Sequence, residues 1–253
     1  LDADVVNRMS ISFHIFPETN GSISINGPFN ITLYPEINKK DFGYQCSMVV
    51  KIAMDVVGST VALLLFSPLF LAIALAIKWD SEGPVFFRQK RLGLNGKTFD
   101  VLKFRSMHTK ADSINHQEYI KKYICEQKNS AVEPGVYKLS NDSRITRVGR
   151  ILRKTSLDEL PQLINVFKGE MSLVGPRPPI PYECELYDIW HRRRLLSCKP
   201  GITGLWQVTG RSRTTFDDMV RLDLKYIDEW SLWLDLKILL KTPMAVLGGE
   251  GAY

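Results

Sequence analysis

Two adjacent carboxylates, Asp158 and Glu159, stand near the start of the run KTSLDELPQLINVFKGEMSLVGPRP, which closes on an arginine set between prolines, Arg177. A guanidinium presents a planar fork that matches a phosphate, and prolines on both sides hold its backbone still while leaving the side chain free. Asp158 and Glu159 lie just ahead of Pro161, which marks a helix start, so both belong near the positive end of a helix dipole and are expected to stay ionised. Together these are parts of a phosphate-handling site. Either part alone is common, since most adjacent acids are solvated first-turn charges and most arginines in proline turns face solvent.

The elements that position these residues follow from spacing. Ser156 and Glu159 have the S-x-x-E interval of a capping box, which would move the helix start ahead of Pro161. Gly169 falls just past the helix end, and Met171 to Val174 reads as a short strand. Upstream, Asn95-Gly96 predicts a hairpin turn, and in the second strand's KFRSM the cations Lys103 and Arg105 alternate with apolar residues and so point to one face. That face could equally be solvated. Arg147, Arg150 and Arg153 recur at helical spacing just before the acids, suited to nucleotide phosphates or to anionic lipid. HRRRLLSCK, from His191 to Lys199, reads as a basic face toward lipid. In KPGITGLWQVTGR, Gly201, Gly204 and Gly210 permit close backbone approach, and Trp206 and Gln207 offer stacking and hydrogen bonding; a buried turn would use the same residues.

The stretch from Val56 to Ile77 is uncharged, and its about 22 residues are long enough to cross a bilayer. Ser67-Pro68 sits at its centre, where proline removes a helical hydrogen bond and the serine hydroxyl can serve the freed carbonyl. A mid-membrane break is expected. Lysines and arginines flank both ends, so the positive-inside rule selects no orientation; a hairpin returning to the same face accounts for this, and a kinked spanning helix is the alternative. Lys51 and Asp55, four residues apart, can pair on one helix face. Trp230 to Leu247 suits either the membrane interface or a core helix, with Pro243 interrupting its period. Leu1 to Gln45, with Asn-Gly turns and apolar alternation, reads as a strand-rich segment ending a preceding domain. His108 to Ser140 reads as a polar insertion.

Composition narrows the classes further. The 253 residues are 45% hydrophobic and 24% charged, which fits a folded core plus an accessory segment and excludes disorder. A net charge of +6 suits a membrane surface or phosphorylated substrate; no basic stripe with interleaved aromatics favours nucleic acid. The 4 cysteines are scattered, without C-x-x-C or nearby histidines, so neither a disulfide framework nor a zinc site is indicated, and reduced thiols in the cytosol fit.

SLDELPQLINVFKGEMSLVGPRP, KFRSM and KPGITGLWQVTGR, in this chain's set of motifs, resemble the monotopic phosphoglycosyl transferases, the bacterial sugar transferase family, from Met48 to Tyr253. Within that family it looks most like the members that move a hexose 1-phosphate, galactose foremost, onto undecaprenyl phosphate. The resemblance implies an α/β (α+β) membrane-anchored monotopic enzyme. Residues 1–45 would be the strand-rich segment, 46–80 a re-entrant helix broken at Ser67 and Pro68, and 81–253 a cytoplasmic catalytic domain with interfacial amphipathic helices. It implies transfer from a UDP-sugar through a phosphosugar-aspartyl intermediate on Asp158, with Glu159, and Asp158 beside it, binding Mg²⁺. Lys103, Arg105, Arg153 and Arg177 would hold phosphates, and Gln162, Trp206, Gln207 and Arg211 would contact substrate. The expected place is the cytoplasmic face of a bacterial inner membrane, among its lipids, at the start of O-antigen, capsule or exopolysaccharide synthesis. Glucose or an N-acetylated sugar, a non-catalytic assembly role, and a homo-oligomer remain open alternatives.

Overall fold

The structure, a computed structural model, describes residues 42–108, 144–187, 189–209 and 215–247. The strand-rich reading of the first segment, most of the polar insertion, and Gly210 and Arg211 lie outside the described residues. One helix dominates: α1, Phe42–Asp80, is 39 residues long, begins ahead of the expected boundary at Cys46, and is apolar enough to cross a membrane. Pro68 does not end it. Proline cannot donate to Leu64 O, and the Ser67 hydroxyl donates to that carbonyl instead at 2.8 Å. The expected break is therefore an exchanged hydrogen bond within a continuous helix.

The hairpin β1 (Phe86–Leu92) and β2 (Thr98–Phe104) follows, antiparallel, with Asn95 (φ 58°) and Gly96 (φ 69°) in its turn as the Asn-Gly pair demands. Helix α2 (Arg147–Lys154) leads through a 3₁₀ turn to α3 (Gln162–Phe167), and Gly169, at φ 76°, ends it as expected. Strand β3 (Ser172–Val174) pairs in parallel with β4 (Gly201–Thr203) across the crossover helices α4 (Pro181–Glu185) and α5 (Ile189–Ser197). Helices α6 (Leu205–Thr209), α7 (Phe216–Asp228) and α8 (Leu232–Leu247) complete the described chain. The two ladders are small and helices do most of the packing, which makes the class α+β.

Helix α1 docks on the rest of the chain at both ends. Lys51 donates to Asp235 at 2.6 Å and to Val174 O at 3.1 Å, while Asp55 accepts from Leu173 N–H at 2.9 Å and the Ser172 hydroxyl at 3.1 Å. The expected pairing of Lys51 with Asp55 gives way because each finds a better partner off the helix. Farther along, Ile73 and Ile77 pack with Phe104 and Leu152, joined by Leu69 and Phe70. Between these contacts Val61, Leu64 and Leu65 are exposed.

Two expectations about the last third are corrected. Helix α5 does not turn its whole basic run outward: Arg194, 3% exposed, pairs with Asp223 at 2.9 Å, and Arg193 pairs with Asp228 at 2.9 Å, because α7 lays complementary acids against it. Helix α8 continues through Pro243 and is two-sided, with Asp235 and Ile238 buried and Trp233, Leu240 and Met244 outward. Removing one partner of a buried pair leaves the other charge stranded, so Lys51→Met should cost about 3–5 kcal/mol. Unfolding of the detergent-solubilised protein checks this; a transition unmoved from wild type would show that the pair does not hold the helix.

Candidate active site

Asp158 and Glu159 sit in the 3₁₀ turn Leu157–Glu159 that joins α2 to α3. Ser156 enters it in the left-handed region, φ 56° and ψ 17°, and makes no side-chain cap bond, so the expected capping box is absent. Glu159 is otherwise engaged: its Oε1 accepts from Lys103 Nζ at 2.6 Å. Lys103 reaches the turn from β2, and Asn165 ties α3, the helix that follows the turn, to the same strand. Its Oδ1 accepts from Leu102 N–H at 3.0 Å, and its Nδ2 donates to Asp100 O at 2.8 Å and to Glu170 at 2.6 Å. An asparagine inside a short helix gave no sequence signal for this, since its partners lie on a distant strand.

Arg177 is exposed on the extended run between β3 and α4. Its base is set by backbone contact. Gly175 N–H donates to Thr203 O at 2.9 Å and Gly201 N–H to Pro176 O at 2.9 Å. A Cβ on Gly201 would stand 2.1 Å from Gly175 N, and one on Gly204 2.5 Å from Gly175 O. The predicted close approach is thus between the GPRP and KPGITG segments, chain against chain.

The charges around the acids divide their behaviour. Burial pushes the Asp158 carboxyl up to about 6, with Lys103 opposing, Glu159 adding to the rise and Arg153 opposing it. For Glu159 burial also raises, but Lys103, through charge and hydrogen bond, and then Arg177 and Arg91 outweigh it and hold the group below the usual range. For Asp158 desolvation outweighs any dipole effect, since α3 has only 6 residues, but at about 6 the group still ionises at neutral pH, as expected.

The structure therefore brings together Asp158, Glu159, Lys103, Arg153 and Arg177. Gln162 lies buried in the first turn of α3, at 4% exposure. Arg105 is elsewhere: 4% exposed, its NH2 donates to Ser81 O at 2.6 Å and the Ser81 hydroxyl at 2.9 Å, just past the end of α1. Arg105 N–H still bonds Val85 O at 2.8 Å, one step past β2, but there its side chain meets the end of α1 rather than the acids. Trp206 and Gln207 belong to α6, which packs on α7 and α8, and Gln207 donates to Ile202 O at 3.1 Å. Arg91, read from sequence only as a flanking charge, is buried beside the Arg177 run. Among the described residues no group of three or more His, Cys, Asp or Glu side chains gathers for a metal.

Carboxylates backed by cations thus lie beside a helix long and apolar enough to anchor in a membrane, the parts a membrane-anchored phosphoglycosyl transferase needs. The profile of the bacterial sugar transferase family matches residues 46–249, and the chain belongs to that family. It is 44% identical over 212 residues to the exopolysaccharide production protein ExoY of Rhizobium meliloti, covering 81% of this chain and 88% of that one. It is 44% identical over 210 residues to the undecaprenyl-phosphate galactose phosphotransferase of Salmonella typhimurium, covering 82% of this chain but 42% of that longer protein. With the UDP-glucose:undecaprenyl-phosphate glucose-1-phosphate transferase of Caulobacter vibrioides it shares 42% identity over 215 residues, 80% of this chain and 72% of the relative.

If Asp158 reacts as its carboxylate, kcat/KM should fall about tenfold per pH unit below a pH of about 6 and level off above it. Its pKa is raised from 3.8, so the folded state holds the proton more tightly, and the stability this contributes is lost as pH rises through about 6. Asp158→Asn should thus be at least as stable as wild type at pH 8, by thermal unfolding; a marked loss there would contradict the burial effect.

Proposed function

We propose that this protein transfers a hexose 1-phosphate from a UDP-sugar to undecaprenyl phosphate, giving undecaprenyl-diphosphate-sugar and UMP. The observation that carries the reading is the pairing of a partly desolvated Asp158 with a Glu159 locked to Lys103. A carboxylate poorly solvated in its resting state loses little hydration on attack. An oxygen of Asp158 bonds to the donor phosphorus that carries the sugar, and the bond to the bridging oxygen breaks, releasing UMP. An oxygen of the lipid phosphate then bonds to that phosphorus and frees Asp158. Lys103, Arg153 and Arg177 offset the charge of phosphate oxygens during both exchanges. Glu159 and Asp158 would hold Mg²⁺, which takes one or two carboxylates plus phosphate oxygens and would supply further charge neutralisation there. Galactose is the first choice of sugar, after the Salmonella relative, and glucose the second, after the Caulobacter one.

The same reading places the catalytic part on the cytoplasmic face of the inner membrane with α1 re-entrant. Support comes from the double docking of α1. Ser59 is fully buried and the Phe70 ring already meets that of Phe104, with centroids 5.1 Å apart, which leaves residues 60–69 between the contacts. At 1.5 Å per residue they extend about 15 Å, about half of a hydrocarbon core of about 30 Å. A spanning helix would separate its two ends by the whole bilayer. The outward Trp233, Leu240 and Met244 of α8 suit the interface of the same leaflet.

UMP release by purified protein from a panel of UDP-sugars, with undecaprenyl phosphate and Mg²⁺, tests the reaction. Release from UDP-galactose or UDP-glucose is expected, and Asp158→Asn should abolish both turnover and the labelled sugar-phosphate adduct that wild type accumulates without lipid acceptor. An adduct on another residue would overturn the assignment of the nucleophile. For topology, cysteines placed before Val56 and after Ile77 should both be labelled from the cytoplasm; labelling from opposite sides would mean that α1 spans.

A further inference from the structure

Between Gly175 and Ile180 the chain contains Pro176, Pro178 and Pro179, none of which has a backbone N–H to donate. Such a run is anchored mainly through its carbonyls, and each proline's carbonyl has a donor. Pro176 O accepts from Gly201 N–H at 2.9 Å, Pro178 O from Arg91 NH1 at 2.8 Å, and Pro179 O from Leu92 N–H at 3.0 Å. Arg177 is thereby held between an anchor from β4 on one side and an anchor from the end of β1 on the other.

The β1 anchor is an unusual choice of side chain. Arg91 is 5% exposed, and its recorded hydrogen bonds go to neutral oxygens: Pro178 O, and Gln89 Oε1 from both Nε at 3.1 Å and NH2 at 2.8 Å. A neutral donor could serve one carbonyl at far lower desolvation cost. The guanidinium does more, because its fork is oriented by Gln89 on one edge while the other edge fixes the loop. Its charge also lies close enough to oppose that of Arg177 and to attract Glu159, and burial together with Arg177 brings its own pKa down to about 10.

We infer that Arg91 is a positioning residue, which clamps the Pro176–Pro179 run and so sets where Arg177 presents its guanidinium to a phosphate. This rests on the proposed phosphoryl transfer. Arg91 does not itself touch substrate; it acts through Arg177, and the positive field behind that residue favours an anion in front of it.

The test is a double-mutant cycle on the purified enzyme, reading kcat/KM for UMP release with Arg91→Met, Arg91→Lys, Arg177→Ala and the Arg91→Met/Arg177→Ala pair. Both single losses should be about ten- to a hundred-fold, the size of a charge-assisted phosphate contact. The pair should be no worse than Arg177→Ala alone. Arg91→Lys keeps the charge without the fork and should rescue only in part. In parallel, hydrogen exchange at the Leu92 amide should accelerate in Arg91→Met, with the β3–β4 amides unchanged. Losses that multiply in the pair, or wild-type kinetics in Arg91→Met, would overturn the inference. If wild type released no UMP from any UDP-sugar, the functional reading would fail on its own, and unchanged exchange at Leu92 would then still refute the clamp.

Discussion

An ammonium group buried where an apolar helix meets a folded domain must find its oxygens outside its own helix, and Lys51 does so. Asp235 from α8, Tyr226 from α7 and the Val174 carbonyl of β3 converge on it at 2.6, 3.4 and 3.1 Å. Asp235 is in turn held by the Tyr226 hydroxyl at 2.7 Å and the Trp230 indole at 3.2 Å, and burial, with Asp235 beside it, keeps Tyr226 firmly protonated. One charge pair therefore joins the helix, the sheet and the two last helices. A misplaced register of α1 would strand both charges in a dry environment, so the penalty of burying them specifies a unique docking even where their net contribution to stability is small.

From that junction the site follows by short steps. Asp55, one turn along α1, takes the Leu173 amide and the Ser172 hydroxyl, which fixes β3. Strand β3 leads through Gly175 into the Arg177 run, and Gly201 and Gly204 admit that backbone at distances where any side chain would collide. At the far end of the helix, Asp80 accepts from Val148 N–H at 2.9 Å and so holds the start of α2, whose end delivers the acidic turn. The apolar helix is thus connected through hydrogen bonds at both its ends to the Arg177 run and to the acidic turn.

Neighbouring carboxylates can differ because their surroundings do. Glu159 binds Lys103 directly, whereas Lys103 and Arg153 act on Asp158 through charge alone and burial outweighs them. The two groups therefore differ, one held in its charged form by its neighbours and one whose proton is lost near pH 6.

Much was legible without coordinates, wherever the cause is local. Gly169 ends α3 because the next step needs a positive φ, Asn95-Gly96 turns the hairpin for the same reason, and Ser67 serves the carbonyl that Pro68 cannot. The order of motifs was enough to nominate Asp158, Glu159, Lys103 and Arg177, which the fold brings close to one another. What tertiary structure alone decided was partnership. Glu159 carries a capping-box signature yet bonds Lys103, Lys51 and Asp55 stand four apart yet turn to different strands and helices, and Arg194 sits in a basic run yet pairs with Asp223. Arg105 repeats the spacing of Lys103 but closes the end of α1, and Arg91 looks like a surface charge but is buried behind Arg177. Spacing along a chain sets backbone conformation and the face of an element. A buried charge chooses among the oxygens that distant segments bring within 3 Å, and no local interval encodes that choice.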